Sequence, residues 1–275
     1  MRLLFLIILA SCAYGAEKRV VSIMPENTLH LDYQATQSDI TYEQYVDLLV
    51  KIDKIYDPIV KRLGAELIIY DGWEDNTVNA YASQQGKRWI VEVMGGLARR
   101  NEITLDALAI VTCHELGHHL GGYPTYPREW ASAEGNSDYY STQACIKKVF
   151  NNEYENKKAF DNASIEAKEV CQATTNTNYF RCVRAVEASW RLTSLFASAN
   201  EMPDPLTPDD IPVYRTETSY PKTTQCRLDT YIAGAICTKT WNDLKIPRYK
   251  RDLDYISCTL KNKELGVRPN CWYVE

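Results

Sequence analysis

The sequence lacks three features that would point to other kinds of protein. It has no basic excess, since 31 lysines and arginines stand against 36 aspartates and glutamates, and this argues against a nucleic-acid partner. After the first ten residues, no apolar run approaches the roughly 20 residues that a spanning helix needs. Internal repeats and low-complexity tracts are also missing. With 275 residues and 45% hydrophobic content, the chain is expected to be soluble and to bury a real core.

The N-terminus has the pattern of a signal peptide covering the first fifteen residues. An uninterrupted apolar run from Leu3 to Ala10 follows an early arginine, and small residues come next. Two processing routes stay open. Leu9 to Cys12 resembles a bacterial lipobox in which Cys12 becomes the lipidated first residue, whereas residues 13 to 15 resemble an ordinary cleavage site before Ala16. We therefore expect an exported protein: periplasmic, outer-membrane if Cys12 is lipidated, or extracellular, with that lipid as its only membrane contact.

The remaining cysteines indicate a disulfide framework. No two of them are spaced Cys-x-x-Cys, which makes a cysteine-bound zinc cluster a weak interpretation. An even number behind an export signal predicts four disulfides formed in an oxidising compartment. The eight cysteines are Cys113, Cys145, Cys171, Cys182, Cys226, Cys237, Cys258 and Cys271.

The segment from His114 to His118 reads HELGH and places two imidazoles four residues apart on one helix face. Both rings can then bind one zinc ion, with Glu115 beside a water that the metal activates. The alternative is two histidines on an ordinary helix face. However, residues 106 to 113 are almost wholly apolar and Gly121 follows as a stop, so the helix should be buried. A buried histidine pair without a ligand is costly to desolvate, which favours the zinc site.

A second helix supplies the third ligand in this interpretation. Glu134 and Asp138 are four residues apart, so both project from one helix face. Glu134 completes a His, His, Glu set that leaves one zinc position for water, and Asp138 can accept the other ring N–H of a zinc histidine. Glu115 is then the general base. The alternative is an acidic pair that coats a solvated helix, where the like charges repel weakly.

From these motifs the chain resembles the gluzincin metallopeptidases, and more narrowly the HtpX-like peptidases that include the CAAX prenyl endopeptidases. Members carry an Asn-Ala-aromatic-Ala element, a strand, a short Gly-Leu stretch and then the zinc helix. The same order occurs here as residues 79–82, residues 88–93, Gly96-Leu97 and HELGH. The resemblance covers about residues 45 to 145 and implies a zinc endopeptidase with a zincin-like fold.

One departure from the family pattern concerns size. The spacing between His118 and Glu134 is much shorter than the insertion that family members often carry there. The helical or membrane-embedded subdomain of the larger relatives should therefore be absent. We expect a minimal, exported version of the fold.

The resemblance also implies how a peptide substrate binds. In the family pattern, a strand beside the cleft leaves one edge unpaired, and an extended peptide can add to that edge. The counterpart here is the strand containing Trp89, Ile90 and Val91, preceded by Asn79 and Ala80. The alternative is an ordinary core strand with both edges satisfied, because the apolar residues would also suit a buried sheet.

Position along the chain predicts the disulfide pairs. Cys145 lies seven residues after Asp138 on the same helix face, so we pair it with Cys113 on the zinc helix. Cys171 and Cys182 flank the polar turn at 174–178 and are predicted to tie a helical hairpin. Two sequence-local pairs complete the prediction: Cys226 with Cys237, and Cys258 with Cys271.

The expected architecture is α+β: a zincin-like fold, mainly helical, with a small mixed sheet whose edge strand borders the active-site cleft. Apolar spacing predicts helices over residues 41–63, 158–172 and 179–199, and a strand over 66–70. Residues 203–221 are rich in proline and acids and should form a loop near the cleft. The predicted division is a signal peptide over 1–15, a catalytic domain over 16–200, and a cysteine-rich extension of that domain over 201–275.

The sequence therefore predicts a secreted or envelope-associated zinc endopeptidase that is a monomer, binds one Zn²⁺ per chain and takes an extended peptide as substrate. Two other classes stay open: a non-catalytic, zinc-stabilised binding protein of the envelope, and a metallohydrolase of peptidoglycan cross-links. Retention of Glu115 argues against the non-catalytic class, because a structural zinc is usually held by four protein ligands and needs no base. The sequence cannot choose among the donors for a developing oxyanion, which are Tyr123, Tyr139, Tyr140, Arg181 and Arg184.

Overall fold

Helices make up most of the regular structure in the computed structural model, which describes residues 21–174, 177–197 and 201–275. The predicted signal peptide, with Cys12 and its two processing routes, lies outside the described residues. The strands are β1 Val21–Ser22, β2 Glu66–Gly72, β3 Ala80–Gln85 and β4 Arg88–Met94. The helices are α1 Tyr42–Arg62, α2 Gly95–Ala98, α3 Leu105–Leu120, α4 Glu134–Tyr140, α5 Ile146–Val149, α6 Glu153–Asp161, α7 Ile165–Val170, α8 Thr177–Phe196, α9 Thr224–Ile236 and α10 Leu253–Ile256.

The first helix forms where the apolar spacing predicts it. Thr41 caps α1, since its hydroxyl accepts from the Gln44 amide while the Gln44 side chain accepts from the Thr41 amide. Its buried residues recur every three or four positions and face β2 and α3. The Tyr45 hydroxyl ties this helix to the sheet by donating to the Val93 carbonyl and accepting from the Gly72 amide.

The zinc-motif helix α3 is buried almost completely, as predicted. Thr104 caps it by accepting from the Ala107 amide at 3.1 Å, and the helix ends at Leu120 with Gly121 as its C-cap. It packs on β3 and β4 on one side and on α4 and α8 on the other. A helix that is apolar on nearly every face forms the centre of a core, and α3 therefore places its polar motif inside the protein.

The sheet is mixed, with strand order β1-β3-β4-β2. β3 pairs antiparallel with β4, and β2 pairs parallel with β4 along its full length, from Glu66 opposite Arg88 to Gly72 opposite Met94. β1 adds antiparallel to the other edge of β3. The prediction of an α+β protein with much helix and a small mixed sheet is confirmed.

The prediction that Trp89, Ile90 and Val91 form an open substrate edge is wrong. β4 is a central strand whose two edges are both hydrogen-bonded, to β3 and to β2. Its apolar residues are those of a strand buried on both faces, a pattern that does not reveal which neighbours pair with it. The outer edge beside α3 belongs to β3, which starts directly after Asn79 and includes Ala80.

The helix predicted over 158–172 is also corrected, because the chain forms two helices there. α6 ends at Asp161 and α7 begins at Ile165. Ser164 starts the second helix, since its hydroxyl accepts from the Ala167 amide at 3.2 Å. The helix predicted over 179–199 is α8, which runs from Thr177 to Phe196.

Two predicted disulfides are confirmed and two are wrong. Cys113 bonds to Cys145 and Cys171 to Cys182. The other bonds are Cys226 to Cys271 and Cys237 to Cys258. Cys226 and Cys237 lie at opposite ends of the 13-residue α9, about 16 Å apart at 1.5 Å per residue, and a disulfide needs Cα atoms within about 7 Å. The helix therefore excludes the sequence-local pairing.

We expect the Cys226–Cys271 bond to stabilise the fold more than the Cys171–Cys182 bond. The bonds span 45 and 11 residues, and restricting the unfolded chain predicts about 4 and about 3 kcal/mol respectively. Urea unfolding of the two double-alanine variants measures both values. An equal or larger loss from the Cys171→Ala/Cys182→Ala variant would contradict this order.

Among the described residues, no helix is both long and apolar enough to cross a membrane.

The C-terminal part of the chain packs directly against the helix that carries Glu134. A β-carbon at position 135 would lie 2.5 Å from the Trp272 ring, so the close packing of this ring on α4 requires glycine there. Residues beyond 201 therefore help to position α4.

Candidate metal centre

Two buried helices meet where the predicted ligands lie. His114, Glu115 and His118 are on α3, and Glu134 and Asp138 are on α4. The helices approach closely at Gly117, where a β-carbon would come within 2.9 Å of the Ser137 α-carbon. The glycine inside HELGH thus has a packing role, because it lets both helices point their polar residues at one position.

The three predicted ligands converge. Glu134 Oε2 lies 3.1 Å from His114 Nε2, and Glu134 Oε1 lies 3.6 Å from His118 Nε2. All three side chains are fully buried. The two imidazole rings stand nearly perpendicular, with centroids 4.8 Å apart. One ion placed among these atoms would meet two imidazole nitrogens and a carboxylate.

The opposite ring nitrogens are held by other groups, which turns both Nε2 atoms toward Glu134. His114 Nδ1 lies 2.7 Å from Asp138 Oδ1, as predicted for Asp138. His118 Nδ1 donates to the Ser132 carbonyl at 2.8 Å and is 3.0 Å from the Ser137 hydroxyl. With the proton on Nδ1, His118 presents an Nε2 lone pair, the form that binds a metal.

Two buried groups at this position have no hydrogen-bond partner among the described residues. They are His118 Nε2 and the two carboxylate oxygens of Glu115. Glu115 Oε2 lies 4.0 Å from His118 Nε2. A buried polar atom without a partner is costly, and a carboxylate much more so. The pattern is explained if a metal ion and a water belong between these atoms.

The protonation of the two histidines differs. Burial lowers the pKa of His114, but the carboxylates of Asp138 and Glu134 outweigh it and raise that pKa to about 9. For His118 burial dominates, with Glu134 opposing it, and lowers the pKa to about 4. From the protein groups alone His114 carries a proton that a metal ion would displace, so metal binding should release a proton there.

The carboxylates differ in the same way. Burial raises the pKa of Glu115 well above its usual value, although His114 opposes this. Burial also acts on Glu134, but the two histidines prevail and its pKa is lowered. Glu134 is therefore held in the charged form, whereas Glu115 is a buried carboxyl whose charged form would be favoured by a nearby cation.

These residues fit a zinc ion of the hydrolytic type. Two histidines and one carboxylate are the protein ligands of such sites, and a structural site would be closed by a fourth. His114, Glu115 and His118 also form a group whose ligand atoms lie within 4.8 Å of one another. A second group, Asp209 with Cys226 and Cys271, is no metal site, since its cysteines are bonded to each other.

Arg227 is a residue of this centre that the sequence did not single out. It lies on α9 and binds Asp138 through two hydrogen bonds, Nε to Oδ2 at 2.8 Å and Nη2 to Oδ1 at 2.7 Å. Burial raises the pKa of Asp138, but Arg227 and then His114 hold it below its usual range. No spacing signal links Arg227 to a residue so far away along the chain.

Two tyrosines complete the surroundings. The Tyr126 hydroxyl donates to Glu134 Oε1 at 2.6 Å. The Tyr220 hydroxyl donates to the Ser22 carbonyl at 2.8 Å, and its pKa is raised by burial and then by Glu134. Tyr220 comes from the segment predicted to form a loop near the cleft. The aromatic residues considered from sequence instead bond elsewhere: Tyr139 to the Gly266 carbonyl and Tyr140 to Asp243.

The arginine candidates for the oxyanion also lie away from the centre. Arg184 forms an ion pair with Asp106 at 2.6 Å, and Arg181 donates to Asn178. Tyr123 packs against the main core. His119 stacks between Trp89 and Trp130, with centroids at 5.3 and 4.7 Å, and serves packing beside the sheet.

Residues 21 to 24, which we name the cover segment, lie over the centre. Ile23 is fully buried, and its amide is close enough to Glu115 to lower the pKa of that carboxyl. The predicted substrate residues Asn79 and Ala80 contact this segment: Ala80 accepts from the Ile23 amide at 3.2 Å, and Asn79 bonds to the main chain of Met24. The cover segment thus contributes to the burial of the site.

Comparisons with protein-family models, with curated proteins and with solved structures find no match for this chain. The resemblance to HtpX-like peptidases therefore stays a prediction that rests on the motifs and on the geometry described above.

Proposed function

We propose that this chain is an exported zinc endopeptidase of the gluzincin type. The observation that carries the proposal is the buried convergence of His114 Nε2, His118 Nε2 and the Glu134 carboxylate, with the unpartnered Glu115 carboxylate beside them. Disulfides are typical of exported proteins. Three protein ligands and one base are a complete hydrolytic set.

In this proposal zinc, when bound, supplies the positive charge that polarises a scissile carbonyl and lowers the pKa of a water molecule. Glu115 accepts the proton of the attacking water and passes it to the leaving amine. Asp138 holds His114 through Nδ1, and Arg227 keeps Asp138 charged. Tyr126 orients Glu134 through the hydrogen bond to Oε1.

An extended peptide is the proposed substrate class, and β3 is the edge that would receive it. β3 lies on the α3 side of the sheet, and among the described residues its outer edge pairs with the short β1 and with the Ile23 amide that follows it. Main-chain hydrogen bonds to such an edge accept many side chains. The proposal therefore expects broad sequence tolerance in the substrate.

One observation favours a second candidate, a non-catalytic zinc-stabilised protein. Every ligand of the centre, and Glu115 as well, is fully buried. A peptidase must admit its substrate, whereas a stabilising metal needs no access. Incubation of the zinc-loaded protein with an unbiased peptide mixture, followed by mass spectrometry, separates the two, because only a peptidase produces new cleavage termini.

The Glu134→Ala variant is expected to lose most of the zinc that the wild-type chain binds, which should be one ion per chain. Removing one of three protein ligands also leaves the histidines without the carboxylate that attracts the cation. Metal analysis after dialysis measures the content. The matched control is Glu153→Ala, whose carboxylate is exposed and paired with Lys157. Equal zinc in wild type and Glu134→Ala would contradict the ligand set.

A further inference from the structure

The cover segment binds to the protein in the manner of a short extended peptide. It runs antiparallel to β3, with Val21 opposite Ala82 and Ser22 opposite Tyr81. The ladder continues through the Ile23 amide, which donates to the Ala80 carbonyl at 3.2 Å. Such pairing is how a peptide adds to the exposed edge of a sheet.

Side chains of the metal centre hold the main chain of this segment. Tyr220 donates to the Ser22 carbonyl at 2.8 Å, and Arg227, which also binds Asp138, donates to the Ile23 carbonyl. Asn79 accepts from the Met24 amide at 3.4 Å and donates to the Met24 carbonyl at 3.3 Å. Each contact is to a backbone group, so another peptide could make the same contacts.

Two features allow the cover segment to detach while the rest of the protein stays folded. Its strand is two residues long, and the chain after it is exposed at Pro25 and Glu26. All eight cysteines between 113 and 271 bond to one another, so no disulfide ties the segment down. Although its residues are buried, a two-residue strand without a crosslink can open locally at lower free energy than the core helices.

We propose that the cover segment occupies the peptide groove of this protein and keeps the metal centre closed until the segment is displaced. The inference rests on the proposed peptidase function, because an occupied groove would keep that peptidase inactive in the uncut chain. It concerns regulation of that site by the chain's own residues 21 to 24.

The test cuts the full chain at one place. A recognition sequence for a specific protease is inserted after Glu26, and the purified protein is compared before and after the cut, so that composition stays constant. The matched control carries the same insertion in the exposed turn near Lys261. Three readouts are followed: hydrolysis of a peptide mixture, binding of a labelled peptide with the sequence of residues 21–26, and hydrogen exchange in β3.

Cutting after Glu26 should raise hydrolysis by at least about tenfold, let the labelled peptide bind and speed hydrogen exchange in β3. An excess of the unlabelled peptide should then restore inhibition. The cut control should match the uncut protein. Equal hydrolysis before and after the cut would overturn latency while leaving the peptidase intact. Peptide binding after the cut without any hydrolysis would uphold the groove and overturn the peptidase. Failure of the peptide to bind the cut chain overturns the inference.

A separate cleft carries a second inference, independent of the zinc centre. It has a volume of about 370 Å³ and lies between the segment that follows α4, the start of α8 and the end of α9. Four cationic side chains line it and no carboxylate does. The cationic residues are Lys147, Lys148, Arg181 and Lys239.

Two of these cations, Lys147 and Arg181, have no acidic partner among the described residues. Lys148 pairs with Asp243 at 2.9 Å and Lys239 with Glu264 at 3.0 Å. Lys147 instead donates to the Cys237 carbonyl, and burial together with Arg181 and then Lys148 lowers its pKa to about 7. Partly buried positive charge without an acidic partner is costly to desolvate, and an anionic ligand would compensate it.

The same cleft contains buried polar groups without partners. Gln143 lines it, and its Oε1 has no hydrogen bond among the described residues, although its amide nitrogen donates to the Lys239 and Ile256 carbonyls. Trp241 Nε1 is likewise unpartnered. A ligand with an anionic group and a donor would satisfy charge and hydrogen bonding together.

The geometry points to a binding site for a small oxyanion, carboxylate or phosphate, held by Lys147 and Arg181. Calorimetry with inorganic phosphate and with N-acetylglycine distinguishes the two sources by which probe binds more tightly, since both can donate to Gln143 but only one is a carboxylate. Lys147→Met and Arg181→Met should each weaken binding of the preferred probe at least about tenfold. Lys61→Met, which removes an exposed charge paired with Asp57, should not. No binding of either probe, or unchanged affinity in both cleft variants, would overturn the site.

Discussion

Replacing Glu115 with glutamine is expected to lower kcat for peptide hydrolysis by about a thousandfold or more while zinc content stays that of the wild type. The amide keeps the volume of the side chain but cannot accept the proton of the attacking water, and general bases contribute about 10² to 10⁴ in rate. Because Glu115 is no ligand in the proposed set, the fold and the metal should persist. The measurement is kcat on a cleaved peptide, with metal analysis of the same sample.

The matched control for this variant is Glu92→Gln. Glu92 is a half-buried glutamate on β4 whose pKa is raised by burial and then by Asp75. It resembles Glu115 in burying a carboxyl but lies outside the centre. Full activity in Glu115→Gln would reject the role of the base. A comparable loss in Glu92→Gln would show that the effect comes from a disturbed fold.

Replacing Arg227 with methionine is expected to destabilise the protein by about 3 to 5 kcal/mol and to weaken zinc binding by about 10- to 100-fold. The stability loss follows because Asp138 stays buried without the cation that compensates it. The affinity loss follows because Asp138 orients His114, and groups behind a metal ligand have effects of this size. Urea unfolding of the metal-free protein and competition with a chelator measure the two quantities.

A double variant separates the two effects. In Arg227→Met/Asp138→Leu no buried charge is left unpaired, so part of the lost stability should return. Zinc affinity should not return, since His114 still lacks its partner. The control Arg191→Met removes a largely exposed arginine paired with Glu187 and should cost about 1 kcal/mol or less. Recovery of zinc affinity in the double variant would contradict the positioning role of Asp138.

Much of the centre could be predicted from sequence because it is local. The positions of His114, Glu115 and His118 depend only on helical spacing within an apolar run, and the α3 helix forms there. Asp138 reaches His114 at 2.7 Å because it lies on the same face as Glu134. Periodicity carries such information, since neighbours on one helix are neighbours in sequence.

The disulfides show where this reasoning stops. Cys113 pairs with Cys145 because both are fixed by helices whose meeting the motif already implied. Cys226 and Cys271 are joined only after the C-terminal segment folds back onto α9. Sequence proximity favoured Cys226 with Cys237, but a helix keeps its two ends apart. Pairing across a chain reversal cannot be read from spacing.

By itself, the sequence determined the elements that rest on local periodicity: the zinc-motif helix, the Glu134 helix and the amphipathic α1. The tertiary structure decided which edge of the sheet is open and what lies against the centre. β4 is central because β2 pairs beside it, and the cover segment and Arg227 meet at the site although Ile23 and Arg227 are 204 residues apart in the chain. Strand neighbours and buried ion pairs depend on contacts between residues far apart in sequence, and a local pattern contains no record of them.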